Sequence, residues 1–373
     1  MVNRSDWSCF QCLFILRWYC VAKKFYQEWH ILKCSFNNGA SISAAVRRIM
    51  RAIQVFEFGG PEVLKYSAEV VAPEITAPNQ VLVGIASVGV NPVETYIRAG
   101  AREHPLPYIP GSDGAGKVLQ VGEDVNGLQV GQRVFLCRGP DGGPSGTYAS
   151  CTVAPASCVR PLPDRLTFQQ GAGVGIPYFT AWHALMQRAA AGRGSRVLVH
   201  GASGAVGLAA VQIARHHGML VMGTAGTEEG MKLVQEQGAE HVFNHRTPGY
   251  TQEILAASNG GVDVILEMLA NVNLATDLTL LRFRGRVVVI GSRGSIQIDP
   301  RLTMGPETSI MGCALAAVTK EEWEELDLRI GEGLEAGWMT PIVDKTYPLE
   351  QAGRAHEDII NSAGARGNIV LEV

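Results

Sequence analysis

The chain has no paired-cysteine framework, no long apolar run and no strong excess of charge of either sign. Its eight cysteines show no paired spacing between residues 50 and 373, which argues against a disulfide scaffold and for reduced thiols in the cytoplasm. Cys137, Cys151 and Cys158 are too scattered for a structural zinc lobe and read as packing residues. The most apolar early stretch, residues 9–21, is broken by Gln11 and Arg17 and is too short to span a bilayer. No small-residue cleavage site follows it, so it reads as neither a signal nor a transit peptide. The formal charge is −3, but residues 1–49 hold seven of the 32 basic and two of the 35 acidic residues, leaving −8 on the remainder. An acidic body gives no electrostatic footing for strong nucleic-acid binding. No internal repeat or low-complexity segment stands out, which argues against a solenoid.

What is present falls into unlike parts. Residues 1–49 carry four of the eight cysteines and three of the six tryptophans. Phe10, Phe14, Trp18, Phe25, Trp29 and Leu32 recur at the spacing of an amphipathic helix. Cys9 and Cys12 make one C-x-x-C, but Cys20 and Cys34 do not complete a second, so zinc is not expected there. The segment reads as an atypical extension, with the domain starting at Met50. From there short strands over 52–58, 81–90, 114–121, 131–136, 148–153 and 157–160 alternate with Gly/Pro turns, as in a compact, mainly antiparallel β-domain.

Around Leu166 the texture switches to a helical region, and from Arg196 apolar strands alternate with helices. Strands over 197–200, 220–223, 241–243, 262–266, 286–290 and 309–313 predict an α/β, doubly wound parallel (Rossmann) sheet. The expected division is 50–171 with 311–373 for the β-domain and 172–310 for the dinucleotide domain, the tail packing back onto the first. At 373 residues the chain is long enough for both.

The chemistry concentrates at residues 197–217, VLVHGASGAVGLAAVQIARHH. A β-branched run breaks at Gly201, Gly204 and Gly207 follow, and a helix pattern begins. A strand, a glycine turn and a helix N-terminus are the parts of a dinucleotide site, because the freed amides and the helix dipole receive a pyrophosphate. The next strand ends in Gly223-Thr224-Ala225-Gly226, without the acid that would accept hydrogen bonds from a ribose 2′-hydroxyl. That absence favours a 2′-phosphate, with Lys232 and Arg246 near enough in sequence to supply charge, although Glu228 and Glu229 weigh against it.

Residues 50–373 resemble the zinc-free, zeta-crystallin-like quinone oxidoreductase branch of the medium-chain dehydrogenase/reductase superfamily. The resemblance rests on FEFGGPEVL at 56–64, GVNPVETYIRAG at 89–100, PGSDGAG at 110–116 and GIPYFTA at 175–181. The glycine segment at 197–214, GTAG at 223–226, FNH at 243–245, EMLAN at 267–271 and AHEDII at 355–360 extend it. It implies that the β-domain is GroES-like and that NADPH is the cofactor. It further implies a pyrophosphate cradle at Ser203, Gly204, Ala205 and Val206, with Gly226 and His245 near the adenosine. Asn271, Ile290, Gly291, Ser292 and Arg293 would edge the nicotinamide half, with Tyr96 reaching in from the first domain. Ala205 departs from the family's second glycine pair, and its methyl could loosen phosphate contact.

Zinc alcohol dehydrogenases place a cysteine in the loop at 89–94 and a histidine in 111–116, where this chain has Asn91 and Ser112. Neither is a good zinc ligand, so no metal is expected and alcohol oxidation would lack its Lewis acid. Acceptors that are already electrophilic fit better, and a quinone is protonated by solvent after reduction. Tyr96 and Asn91 are the candidate catalytic residues, the first for a quinone oxygen or the nicotinamide ribose, the second for orienting a carbonyl. Glu94 either pairs with Arg98 on the next turn or is solvated. His200 and His183 read as packed core residues. The resemblance implies one-electron transfer to ortho-quinones, a homotetramer and binding to AU-rich mRNA. The alternatives are an NADPH-dependent alkenal/enone reductase, or a lens crystallin or RNA-binding role.

Overall fold

The computed structural model describes residues 48–373, so the helix and C-x-x-C expected within the extension lie outside the described residues. The first strand runs over Ile49–Gln54 where 52–58 was expected, so it starts three residues early and one residue before the expected domain start at Met50. The strands are β1 Ile49–Gln54, β2 Lys65–Val71, β3 Gln80–Val90, β4 Gly114–Val121, β5 Arg133–Leu136, β6 Cys151–Pro155 and β7 Val159–Pro161. They continue as β8 Arg196–Val199, β9 Leu220–Ala225, β10 His241–Asn244, β11 Val262–Glu267, β12 Leu281–Val289, β13 Ser309–Gly312, β14 Val343–Pro348 and β15 Asn368–Glu372. The helices are α1 Pro92–Arg98, α2 Phe168–Ala172, α3 Gly175–Trp182, α4 Ala205–His216 and α5 Glu228–Glu236. After them come α6 Tyr250–Ala257, α7 Ala270–Leu280, α8 Arg301–Met304, α9 Lys320–Ala336 and α10 Ala352–Asn361.

Six strands form one sheet in the order β10-β9-β8-β11-β12-β13, and every neighbouring pair is parallel. This is the doubly wound arrangement, with the order reversing between β8 and β11. Val197, Leu198 and Val199 are each fully buried, as expected of a central parallel strand covered by helices on both faces. The second sheet runs β14-β15-β3-β4-β5-β7, with β6 also on β3. Its pairs are antiparallel except β14 with β15. The long β3 is its centre, and the tail returns to it: Val370 stands opposite Gly89.

The division expected between residues 310 and 311 cuts β13, which pairs with β12 and completes the six-stranded sheet. Beyond it α9 also belongs with this lobe. It packs against α3, with the Trp323 ring centroid 5.6 Å from that of Phe179. Only from β14 onward does the chain rejoin the first sheet. Apolar periodicity identified the elements, but which sheet a helix covers depends on contacts that periodicity does not encode.

Arg160 of β7 joins the two lobes. Its guanidinium lies 4.9 Å from the Phe179 ring centroid and 5.9 Å from that of Trp323. Nε is 2.5 Å from Asp327 of α9, and Nη1 donates to the Cys137 carbonyl at 3.2 Å. The cation is thus neutralised and hydrogen-bonded where it is buried, the condition for tolerating charge in a core.

Candidate cofactor cleft and a buried carboxylate pocket

The glycine segment folds as its spacing predicts. Gly201 takes a positive φ of 56° at the end of β8, and Gly204 is the N-cap of α4 without a side-chain cap. The amides of Val206 and Gly207 have no acceptor among the described residues, whereas Gly204 bridges to Gly367 of the segment before β15 and so draws the Ala205 amide to that segment. No acid stands in this first turn, so the positive end of the helix is left uncompensated. Gly207 serves packing: a Cβ there would lie 2.6 Å from Ala202 Cα and 2.6 Å from the Gly201 carbonyl oxygen. Ser203 is buried, and its carbonyl accepts from Gly367 N–H at 2.8 Å, so the segment before β15 crosses this loop.

At the end of β9, Gly226 meets two basic side chains. A Cβ added there would lie 2.8 Å from His245 Nε2 and 3.0 Å from Arg246 Nε. Arg246 also donates to the Ala363 carbonyl. Burial, followed by the nearby guanidinium, pulls the His245 pKa down and favours the neutral ring. Lys232 is not part of this group, since it lies on the exposed face of α5 within 3.9 Å of Glu236. Of the two cations considered from sequence, only Arg246 faces the glycine tip.

Asn271 and residues 290–293 are brought together at the ends of β11 and β12. Asn271 Oδ1 accepts from Arg293 N–H at 2.8 Å, and the Gly291 carbonyl accepts from Ala270 N–H at 2.9 Å. The Glu267 carbonyl accepts from the amides of Ile290 and Gly291 at 2.9 and 3.2 Å. Ser292 and Arg293 are exposed. Tyr96 is half-buried on α1, and its hydroxyl has no hydrogen bond among the described residues.

Beneath the glycine loop lies a buried cluster. His200 Nε2 is 2.9 Å from Asp277 Oδ1 and 3.9 Å from Glu267 Oε2, and Nδ1 is 3.2 Å from Thr224 Oγ1. Burial pushes Glu267 up to about 7. Burial works against charging His200, yet its hydrogen bond to Asp277 and the two carboxylates raise its pKa overall. The Glu267 carboxylate accepts from Leu269 N–H and from Asn273 Nδ2, the latter at 3.1 Å. His200 is therefore a satisfied core residue, as is His183, whose Nδ1 lies 2.7 Å from Gln187 Oε1. In sequence Glu267 stands out only as the first residue of EMLAN, yet it holds both the 267–271 turn and the start of residues 290–293.

On the other lobe the environment of Glu94 differs from expectation. It is neither solvated nor paired with Arg98: Glu94 is 3% exposed, and Arg98 turns to the Gly59 carbonyl and to His356 Nδ1. Glu94 instead accepts from Asn91 N–H at 2.5 Å and from Ser112 N–H at 3.3 Å. Asn91 is buried, and its Nδ2 donates to Asp113 Oδ2 at 2.9 Å and to Glu94 Oε1 at 3.4 Å. Asp113 also receives Ile176 N–H on both oxygens at 3.0 Å. Burial, then the Asp113 charge, pushes Glu94 up to about 8, and burial pushes Asp113 up to about 7.

Glu94, Tyr108, Ser112, Arg138 and Ile176 line a cavity of about 590 Å³, a size suited to a small organic ligand. The residues here do not fit zinc. Asn91 and Ser112 offer neither thiolate nor imidazole, and both carboxylates are already turned to N–H donors. Asp113 had no assigned role from sequence. The Asn91/Glu94 pair, however, stands at capping-box spacing, a signal the sequence did contain.

Two family models match: "Zinc-binding dehydrogenase" over residues 205–331 and "Alcohol dehydrogenase GroES-like domain" over 77–164. Mouse (Mus musculus) quinone oxidoreductase is 52% identical over 333 residues, covering 88% of this chain and 99% of that protein. The Escherichia coli quinone oxidoreductase structure complexed with NADPH aligns with a TM-score of 0.78 at 27% identity. That alignment covers 87% of this chain and all of the other. An NAD-dependent alcohol dehydrogenase structure aligns with a TM-score of 0.80 at 26% identity, over 87% of this chain and all of its own.

Proposed function

The chain belongs to the quinone oxidoreductase family of the medium-chain dehydrogenase/reductase superfamily, and on that premise we propose that it reduces quinones with NADPH as its cofactor. The observation that carries this reading is the pairing of two features at the ends of adjacent strands. One is the set of acceptor-free amides opening α4; the other is the Gly226 tip flanked by His245 and Arg246 in place of an acid. The first suits a pyrophosphate and the second a 2′-phosphate. NADPH would be held by Ser203, Gly204, Ala205 and Val206 at the pyrophosphate and by Gly226 and His245 toward the adenosine. Asn271, Ile290, Gly291, Ser292, Arg293 and Tyr96 would serve the nicotinamide half. When bound, the cofactor supplies the reducing equivalents.

In its finer form the proposal takes ortho-quinones as acceptors by one-electron transfer, in the cytoplasm, by a homotetramer. Asn91 acts here as a positioning residue, because its amide is spent on Glu94 and Asp113; Tyr96 remains the candidate for substrate contact. A second reading, reduction of α,β-unsaturated carbonyls, is favoured by the buried acids at the cavity wall. The −8 balance of residues 50–373 gives AU-rich RNA no electrostatic footing, so RNA binding stays outside the proposal. The test is binding of NADPH against NADH by intrinsic fluorescence, followed by turnover of 9,10-phenanthrenequinone against a short alkenal at fixed NADPH. Tighter NADH binding would overturn the cofactor reading, and turnover of the alkenal alone would overturn the quinone reading.

A further inference from the structure

Two carboxyl groups, Glu94 and Asp113, are buried beside one cavity and share the single amide nitrogen of Asn91. Neither forms an ion pair among the described residues. The nearest guanidinium, Arg98, is committed to His356 and the Gly59 carbonyl. Two uncompensated anions this close in a buried site are costly, and binding a proton relieves the pair. Glu94 is the member that lines the cavity. Its Oε2 is engaged at 2.5 Å, whereas Oε1 has only longer contacts of 3.3 and 3.4 Å, which leaves Oε1 the better seat for the proton.

We propose that Glu94 is a further catalytic residue, whose carboxylic acid at the cavity wall gives a proton to the reduced substrate. The proposal rests on the NADPH-dependent reading above. Where the quinone takes two electrons, in place of the one-electron transfer above, the reduction balances as quinone + NADPH + H⁺ → hydroquinone + NADP⁺. The Glu94 O–H bond breaks, an O–H bond forms on the substrate, and the carboxylate regains its proton from water. For an unsaturated ketone, a hydride is added at the β-carbon and the Glu94 proton goes to the α-carbon. One-electron transfer needs no such donor, so an enone is the diagnostic substrate.

The groups facing Glu94 set the sign of the pH dependence. Asp113 lies across Asn91, the Tyr108 and Tyr148 phenols are close, and Arg98 with His356 lies behind them; His104 and Arg138 stand on the cavity wall. The acid must be protonated to act, so turnover falls as pH rises through the titration of Glu94. Removing the Asp113 charge moves that limb to lower pH.

The experiment compares full-length wild type, Glu94→Gln and Asp113→Asn. It measures the infrared carboxylic-acid band across pH, and kcat and KM with 3-penten-2-one and with 9,10-phenanthrenequinone. Expected are an acid band at neutral pH that Glu94→Gln weakens by one carboxyl, Asp113 and Glu267 supplying the remainder, and enone kcat lowered about a hundredfold there with the KM for NADPH kept. Asp113→Asn should shift the alkaline limb downward. A band that Glu94→Gln leaves unchanged, unchanged enone turnover in that variant, or an unmoved limb in Asp113→Asn would each overturn the proposal, as would wild type that reduces the quinone and not the enone. Wild type that oxidises NADPH with neither substrate would overturn the reaction reading and the donor role together. The infrared band then tells this failure from an absent acid.

Discussion

Gly226 decides which nucleotide the cleft prefers because nothing acidic occupies its place and two basic side chains crowd it. Gly226→Asp would put a carboxylate where an added Cβ alone would lie 2.8 Å from His245 Nε2 and 3.0 Å from Arg246 Nε, so these side chains must shift to admit it. The new anion would neutralise Arg246 and repel a 2′-phosphate, while offering an acceptor to a 2′-hydroxyl. We expect NADPH affinity to fall by about tenfold or more, the equivalent of roughly 1.4 kcal/mol, with a smaller change for NADH, both read by fluorescence titration. The missing acid could be read directly from the sequence. The choice between Lys232 and Arg246 could not, because it depends on which face of α5 looks outward. Asp113 was equally hidden, since its contact with Asn91 spans 22 residues of chain.

The same carboxyls make stability depend on pH. Glu94 is raised to about 8 and Asp113 to about 7 in the folded protein, above their ordinary values of 4.5 and 3.8. A raised carboxyl favours the folded state while protonated. Its contribution is complete below the ordinary pKa and is lost as pH rises through the folded value. These two groups therefore act in the window from about pH 4 to 8, lowering stability as pH increases. His356 is held down to about 3, by burial and then by Arg98, and works in the opposite sense, losing its contribution as pH falls from 6.5 toward that value. Asp113→Asn should flatten the decline between pH 6 and 8 in thermal melts. An unchanged slope would show that the pair does not titrate in the fold.

At the scale of elements, α4 and the turn before it show how a motif can be legible and its parts still differ in role. Strand, glycines and helix follow in the expected order, and the sheet is doubly wound and parallel as expected. Yet Gly207, the third glycine, keeps helix against strand, whereas Ala205 sits half-exposed at the first helical position. Gly207→Ala forces a methyl to 2.6 Å from backbone on two sides. It should destabilise the protein by about 1–3 kcal/mol, as overpacking does, and weaken NADPH binding by shifting the amides. Ala205→Gly meets no such conflict, and its stability cost should stay within about 1 kcal/mol. Chemical denaturation of the two variants checks the ranking, and an equal loss in both would refute this division of roles. The misplaced boundary after residue 310 belongs to this scale as well. A helix such as α9 shows an apolar stripe in sequence, but not which of two sheets it will cover.

For the whole molecule, the open question is what meets the outer edge of β13. It is the last strand of the six-stranded sheet and has no further partner among the described residues. Exposed apolar side chains lie nearby, with Ile310 40%, Phe283 58% and Met304 72% exposed. An unprotected edge of this kind pairs with another chain unless it is blunted, and a two-fold copy of the same strand is the simplest closed solution. Cys313 N–H donates inward to the Val289 carbonyl. The alternation along a strand then turns the amide of Ile310 outward. Ile310→Pro removes that outward donor while leaving the bonds to β12 in place. If the proposed homotetramer uses this edge, light scattering should show the variant as a smaller species than wild type, with NADPH binding retained because the cleft lies at the strand ends. An unchanged mass would locate any assembly contact elsewhere on the surface.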